Sequence, residues 1–396
     1  MSTAGAAALG GLPSTLAVPS GQNSGGGASE HGLPQHSTPN IHIEHDRDDH
    51  VMSGQLSINT SELRRPGPSG AVLRLGTRRS ALALAQSGMI AEAVSAATGR
   101  PVELVEITTY GDTSREQLAQ IGGTGVFVSA LRDALLAGSI DFAVHSLKDL
   151  PTAAPDGLAL AAVPLREDPR DALVARDGLT LEELVEKSHP GPARVGTGSP
   201  RRMAQLNAWA AERGAALETV PIRGNVDTRI GYVRSGELDA VVLAAAGLSR
   251  LGRLGEATEL LDTALMLPAP GQGALAVECR SGDTELVAAL AVLDDAPTRA
   301  AVTAERALLA ALEAGCSAPV GALAEVQRRS SDPSTAELSL RALVGTVDGS
   351  SVVQLSATGA FGPEAASEQA AAALGRELAA RMLAEGAAGL MGEQAK

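Results

Sequence analysis

The chain has 396 residues, more than one hydrophobic core usually organises, so two or three domains are expected. With a formal net charge of -14 and only 2% aromatic residues it repels polyanions and offers few stacking platforms, which argues against nucleic-acid binding. No apolar run reaches membrane-spanning length and no basic-then-apolar leader opens the chain, so no membrane partner is expected and the cytoplasm is the expected location.

Residues 1–70 are rich in Gly, Ser, Ala and Pro, show no helix or strand period, and read as a disordered tail. Five of the seven histidines lie between His31 and His50 among Glu44, Asp46, Asp48 and Asp49. Without a rigid scaffold they read as a polar tail rather than a metal site, and no resident metal is expected. Met52 offers an alternative start. From Val72 short apolar runs alternate with helical segments: strand 72–76, helix 80–97, strand 102–108, helix 127–137, strand 140–145. A similar order follows, with strand 194–197, helix 200–212, strand 217–222, helix 226–235 and strand 239–244. Arg74-Leu75-Gly76-Thr77 matches Arg194-Val195-Gly196-Thr197, and Gly138-Ser139-Ile140-Asp141 matches Gly236-Glu237-Leu238-Asp239. The repetition predicts two like α/β lobes with a cleft between them. Beyond Gly273 come a strand at 274–279, helices at 283–293 and 297–314, strands at 319–326, 337–345 and 351–358, and a helix at 364–384, the last elements forming a small α+β domain. In the helix 297–314, Ala301, Ala304, Leu308, Ala311 and Leu312 share a face, with Arg306 and Glu313 opposite.

Charge placement points to a site. The chain has 29 arginines but three lysines, and one of these, Lys148, stands with Asp149 where the run Ile140–Ser146 ends. Ligands of open α/β sheets bind outside the carboxyl ends of strands. Three glycine-rich strand-to-helix junctions carry arginines: Gly76-Thr77-Arg78-Arg79-Ser80, Gly196-Thr197-Gly198-Ser199-Pro200-Arg201-Arg202, and Arg223-Gly224-Asn225-Val226-Asp227-Thr228-Arg229. Ser80 and Ser199 read as N-caps and Pro200 as a first helical residue, so backbone N–H groups and guanidinium groups would face one carboxylate or phosphate. Lysine is missing from every glycine loop, which disfavours nucleotide triphosphate chemistry. Of two cysteines, Cys279 alternates inside a strand, whereas Cys316 lies on a Gly/Pro-bounded loop, where a reactive or modified thiol is more plausible. Free thiols are expected in a reducing compartment. These features alone leave open a two-lobed binding protein for small carboxylates.

The ordered stretches Gly76-Thr77-Arg78 with Ser80, Gly122-Gly123-Thr124-Gly125-Val126-Phe127, Ala143-Val144-His145-Ser146-Leu147-Lys148-Asp149-Leu150-Pro151, Arg166-Glu167-Asp168-Pro169-Arg170-Asp171, Arg201-Arg202, Arg223-Gly224-Asn225-Val226, Ala246-Gly247-Leu248 with Arg250-Leu251-Gly252, Pro270-Gly271-Gln272-Gly273-Ala274 and Gly315-Cys316 resemble the porphobilinogen deaminase family. Two departures stand out: Gln120 and Thr124 replace loop lysines of some members, and Gly198-Ser199-Pro200 replaces a common Ser-Ser-Leu.

The resemblance implies two lobes similar to those of periplasmic binding proteins with the active site between them, plus the small C-terminal domain. The expected division is 71–166 with 273–292, then 167–272, then 296–396. It further implies a dipyrromethane cofactor joined to Cys316 by a thioether, condensation of four porphobilinogens into hydroxymethylbilane with loss of ammonia, and a monomer. Asp149 would be the catalytic carboxylate. Cys316, Lys148, Arg201, Arg202, Ser199, Thr197, Ser146 and Asp149 would hold the cofactor; Arg78, Ser80, Arg223, Arg229, Arg250, Gln272 and Phe127 would hold substrate. The physical case is direct. Losing ammonia leaves a cationic pyrrole, and a carboxylate at about 4 Å in an effective dielectric near 20 is worth on the order of 4 kcal/mol, roughly a thousandfold in rate if expressed only in the transition state. Each added pyrrole brings two carboxylates, which planar arginine forks hold in one orientation.

Overall fold

The computed structural model describes residues 70–107, 125–188, 190–315, 318–329, 332–362 and 366–391. The expected tail, the loop positions Gln120 and Thr124, and Cys316 lie outside the described residues.

One five-stranded sheet contains β1 (Leu73–Thr77), β2 (Val102–Glu106), β3 (Phe142–Ser146), β4 (Leu158–Ala162) and β10 (Leu275–Arg280), in the order β2-β1-β3-β10-β4. A second contains β5 (Asp171–Ala175), β6 (Ala193–Thr197), β7 (Leu217–Pro221), β8 (Ala240–Ala244) and β9 (Glu259–Leu260), in the order β7-β6-β8-β5-β9. In both, three parallel strands are followed by two strands that each pair antiparallel to the previous one. The second half thus repeats the first, as the doubled motifs predict. The chain enters the second sheet at β5 and returns to the first at β10, so two segments cross between the sheets.

The repeated motifs have a shared structural task. The Asp141 carboxylate accepts from the Arg74 backbone N–H at 2.8 Å, and Asp239 accepts from that of Arg194 at 2.8 Å. A Cβ added at Gly76 would lie 2.3 Å from Ile140 Cδ1, and one at Gly196 would lie 2.5 Å from Leu238 Cδ1. Each Arg-x-Gly-Thr therefore docks a Gly-x-x-Asp turn: the glycine makes room for the apolar residue, and the aspartate closes the strand pair.

Helices α1 (Ala81–Thr98), α2 (Gly125–Leu136), α3 (Leu181–Lys187), α4 (Pro200–Arg213), α5 (Val226–Arg234), α6 (Ala245–Arg250) and α7 (Thr284–Leu290) accompany these sheets. Leu75, Phe142 and Val277 centre one core, and Leu173, Val195, Leu206 and Trp209 another. A third unit sets the antiparallel sheet β11 (Val320–Arg329), β12 (Asp332–Gly345) and β13 (Val352–Phe361) against α8 (Ala296–Ala311), α9 (Ala366–Ala384) and the short α10 (Ala387–Leu390). Its core is built on small and aliphatic residues including Ala304, Leu308, Leu340 and Leu378. A Cβ at Gly375 would sit 2.2 Å from Ala304 O, so α8 and α9 pack backbone to backbone there.

Two expectations need correction. Strands β4 and β5 and helix α3 occupy a stretch that the periodicity leaves unassigned. Helix α8 stops at Ala311 rather than near 314, because Glu313 adopts a left-handed φ of 53° that ends the helical path.

Candidate active site

The site grows from the carboxyl ends of the parallel strands. After β3 the chain makes a single 3-10 turn, Leu147–Asp149. Leu147 is buried and anchors it, its N–H donating to Ala274 O at 3.0 Å, while Asp149 is left exposed. Among the described residues the Asp149 carboxylate makes no hydrogen bond or ion pair, so it is open to a ligand. Lys148 turns the other way, its Nζ donating to Gln272 Oε1 at 3.3 Å. Burial of that ammonium lowers its pKa to about 8 against the opposing pull of Asp149; Arg202 and Arg201 lower it further, whereas Asp171 raises it.

Gln272 comes from the returning segment Pro270–Ala274. Gly271 and Gly273 have φ of +76° and +87°, and a Cβ at Gly273 would meet Glu167 O at 2.4 Å, so the loop requires glycine at both places. Gln272 Nε2 donates to Pro169 O at 2.7 Å and to Asp171 Oδ1 at 2.8 Å. Asp171, fully buried at the start of β5, also receives Arg202 through Nε and Nη2 at 3.1 and 2.7 Å and pairs with Arg201 Nη1 at 2.8 Å. Burial alone would raise its pKa, but the two guanidinium groups outweigh burial and hold it far below the carboxylate range. A continuous polar path, Lys148 to Gln272 to Asp171 to Arg201 and Arg202, therefore joins the two sheets.

The arginine pair is more committed than the loop motif suggests. Both residues are buried; Arg201 Nη1 also donates to Leu267 O at 2.5 Å and Arg202 Nη1 to Val242 O at 2.8 Å. Arg201 Nε is nevertheless buried with no hydrogen-bond partner, and so is Arg250 Nε, although Arg250 Nη2 donates to Gly273 O at 2.6 Å. Burial lowers the pKa of Arg201, Arg229 and Arg250. Under-compensated buried guanidinium groups are what an incoming carboxylate satisfies. The residues present thus fit a ligand bearing several carboxylates.

Thr197 is buried at the end of β6, and its Oγ1 accepts from the Ser199 N–H at 3.2 Å. Ser199 occupies the N-cap of α4 with Pro200 at its start, but its hydroxyl makes no capping bond, contrary to expectation; its N–H is taken by Thr197 instead. Ser80 does cap, its Oγ accepting from the Ala83 N–H at 3.3 Å. Ser146 Oγ accepts from Gln86 Nε2 at 3.0 Å. Asn225 caps α5, while Arg229 Nε donates to Gly224 O at 2.9 Å and its Nη2 lies 4.0 Å from where a Gly198 Cβ would be. Arg223 is exposed and Arg78 half-buried. Phe127 lies in the first turn of α2, and its side chain is outside the described residues. Sequence reasoning assigns no role to Asp171 beyond its motif, nor to Glu305 and Arg306 of α8. The one signal for Glu305 and Arg306 is a pair of charged residues beside the apolar face of a helix.

A family model described as "Porphobilinogen deaminase, dipyromethane cofactor binding domain" matches residues 73–288, and one described as "Porphobilinogen deaminase, C-terminal domain" matches residues 299–384. Porphobilinogen deaminase 1 of Streptomyces avermitilis is 72% identical over 322 residues, covering 81% of this chain and 98% of that protein. Porphobilinogen deaminase of Thermobifida fusca is 58% identical over 315 residues, covering 79% of this chain and 94% of its own length. Among solved structures, the periplasmic VFT2 domain of BvgS from Bordetella pertussis matches with 18% identity and a TM-score of 0.33, over 56% of this chain and 85% of that one. Two domain models spanning most of the sequence and near-full-length relatives at this identity agree with the motifs around the site, and the chain belongs to the porphobilinogen deaminase family.

Proposed function

We infer that this chain is a hydroxymethylbilane synthase: it condenses four porphobilinogens head to tail, releases ammonia at each step and frees the linear tetrapyrrole precursor of haem and related pigments by hydrolysis, water supplying the terminal hydroxyl. The observation that carries this reading is an exposed carboxylate, Asp149, beside a buried cationic cluster drawn from both sheets. A dipyrromethane group, if carried on Cys316, would supply a covalent primer for the substrate units. Lys148, Arg201, Arg202, Ser146, Thr197, Ser199 and Asp149 would hold it.

Asp149 helps the departing substrate amine gain its proton, then stabilises as a carboxylate the positive charge left on the pyrrole. Its exposure at a strand end lets it meet a substrate carbon that a buried acid could not. Arg78, Arg223, Arg229 and Arg250, with Ser80 and Phe127, would orient the substrate acetate and propionate groups, whereas Gln272, buried with its amide already engaged by Lys148, Pro169 and Asp171, would act through those partners rather than on substrate directly. Arg201 and Arg202 serve a second purpose, since Asp171 holds their guanidinium planes in place before any ligand arrives. We assign 71–166 with 273–292 to a first domain, 167–272 to a second and 296–396 to a third. The enzyme is taken to be a cytoplasmic monomer.

Intact mass tests the reading. The purified protein should be heavier than its sequence by two pyrrole units, Cys316→Ser should abolish the excess, and substrate should add a ladder of covalent species. Asp149→Asn should fold and keep the excess mass yet hardly elongate. An unmodified chain that still consumes porphobilinogen contradicts the attachment, and near-normal turnover by Asp149→Asn removes that carboxylate from the mechanism.

A further inference from the structure

The turn that presents Asp149 is gripped from outside its own sheet. Within the turn, the Leu150 N–H donates to Leu147 O at 3.1 Å. Arg306, on α8, reaches three of them: Nη1 donates to Leu150 O at 3.0 Å and to Leu147 O at 3.4 Å, and Nη2 to Pro151 O at 2.6 Å. The preceding residue, Glu305, accepts from the Gly271 N–H at 2.6 Å. Gly271 in turn lies against the turn, since a Cβ there would be 3.3 Å from both Leu147 Cγ and the Lys148 nitrogen. Two consecutive residues of one helix therefore hold the turn and the loop behind it, and that helix ends five positions before Cys316 in the sequence.

We propose that Arg306 is a positioning residue for Asp149: its guanidinium bridges backbone carbonyls on both sides of the carboxylate and fixes its direction from the helix that leads to Cys316. The proposal rests on the role given to Asp149 above. Arginine suits it because a planar fork offers two nitrogens to separate acceptors, whereas a lysine ammonium concentrates its donors at one point. The bonds are to backbone, so any side chain could occupy the turn, yet the direction of its Cα–Cβ bond would still be set by Arg306.

The test uses the full-length, cofactor-loaded enzyme with Arg306→Gln and Arg306→Lys, each alone and combined with Asp149→Asn. Misplacement of a reacting group by about 1 Å can cost on the order of a hundredfold in rate. We therefore expect Arg306→Gln to lower kcat by about that factor with KM and loaded mass near the parent values, and Arg306→Lys to recover part of the loss. In the Asp149→Asn background the Gln substitution should add nothing to the residual rate. A loaded Arg306→Gln enzyme with parental kcat overturns the proposal, and so does an equal loss with and without Asp149. Should Arg306→Gln fail to fold, Arg306→Lys and hydrogen exchange at the Leu150 amide decide: faster exchange with lower kcat supports it, and parental values of both overturn it. An active Asp149→Asn enzyme would instead sink the role of Asp149 itself, whereas an inactive one beside a fully active Arg306→Gln sinks only the positioning.

Discussion

Lys148 sits where a change of protonation reaches both the acid beside it and the anion opposite. Its ammonium, held at about 8 chiefly by burial, is charged in folded and unfolded chains alike below that pH. Between pH 8 and the ordinary lysine value the unfolded chain binds more protons, so the penalty of burying this charge eases as pH rises. In the role proposed for it, function runs the other way, because a neutral Lys148 would no longer hold ligand carboxylates. The kcat/KM for porphobilinogen, which reports the free enzyme, should therefore fall on the alkaline side with a midpoint near 8. Arginine does not titrate in this range, so Lys148→Arg should flatten that limb even if its overall rate is lower. A limb that persists unchanged in the variant would belong to another group. At this scale the sequence was legible where chemistry is local. Lys148-Asp149 could be read from a strand that ends in opposite charges, and Arg201-Arg202 from a glycine loop. Their shared partner could not be read, because Asp171 lies thirty positions before the arginines and a hundred before Gln272, and nothing local links them.

Among elements, the doubled Arg-x-Gly-Thr and Gly-x-x-Asp segments explain why the repetition was visible at all: they form one interlocking unit in each sheet, and its glycine cannot vary. Gly76→Ala would drive a Cβ to 2.3 Å from Ile140 Cδ1 and 3.1 Å from Leu131 Cδ2. Such overpacking typically costs about 1–3 kcal/mol. Ile140→Val removes the nearer methyl and alone should cost roughly 0.5–1.5 kcal/mol. Because the second change removes the clash made by the first, the double variant should be less destabilised than the sum, a coupling that denaturant unfolding can measure. Strict additivity would show that the glycine is retained for another reason. The elements that periodicity missed share one property. Strand β5, Asp-Ala-Leu-Val-Ala, is buried at all five positions and β4 reads Leu-Ala-Leu-Ala-Ala, so neither alternates and neither is separable from a short helix by pattern.

For the molecule as a whole, three sheets meet through one buried carboxylate. Glu305 of α8 is 0% exposed; Oε1 accepts from Arg166 Nη1 at 2.7 Å and from the Ala324 N–H of β11 at 2.8 Å. Its other oxygen accepts from Arg166 Nη2 at 3.1 Å and the Gly271 N–H at 2.6 Å. Arg166 itself donates through Nε to Gln272 O at 2.8 Å, so the ion pair lies where both crossing segments run between the sheets. Four donors occupy both oxygens, and no arrangement of an amide can accept them all. Glu305→Gln would point its NH2 group at either the Ala324 or the Gly271 N–H and leave the Arg166 charge buried without its counter-ion. Breaking a buried pair in this way costs about 3–5 kcal/mol. The expected result is a loss of that size in urea unfolding, together with reduced turnover, because the same carboxylate backs the loop that supports Gln272 and Lys148. A loss below about 1 kcal/mol would mean that this carboxylate adds little to holding the sheets together and serves only local geometry.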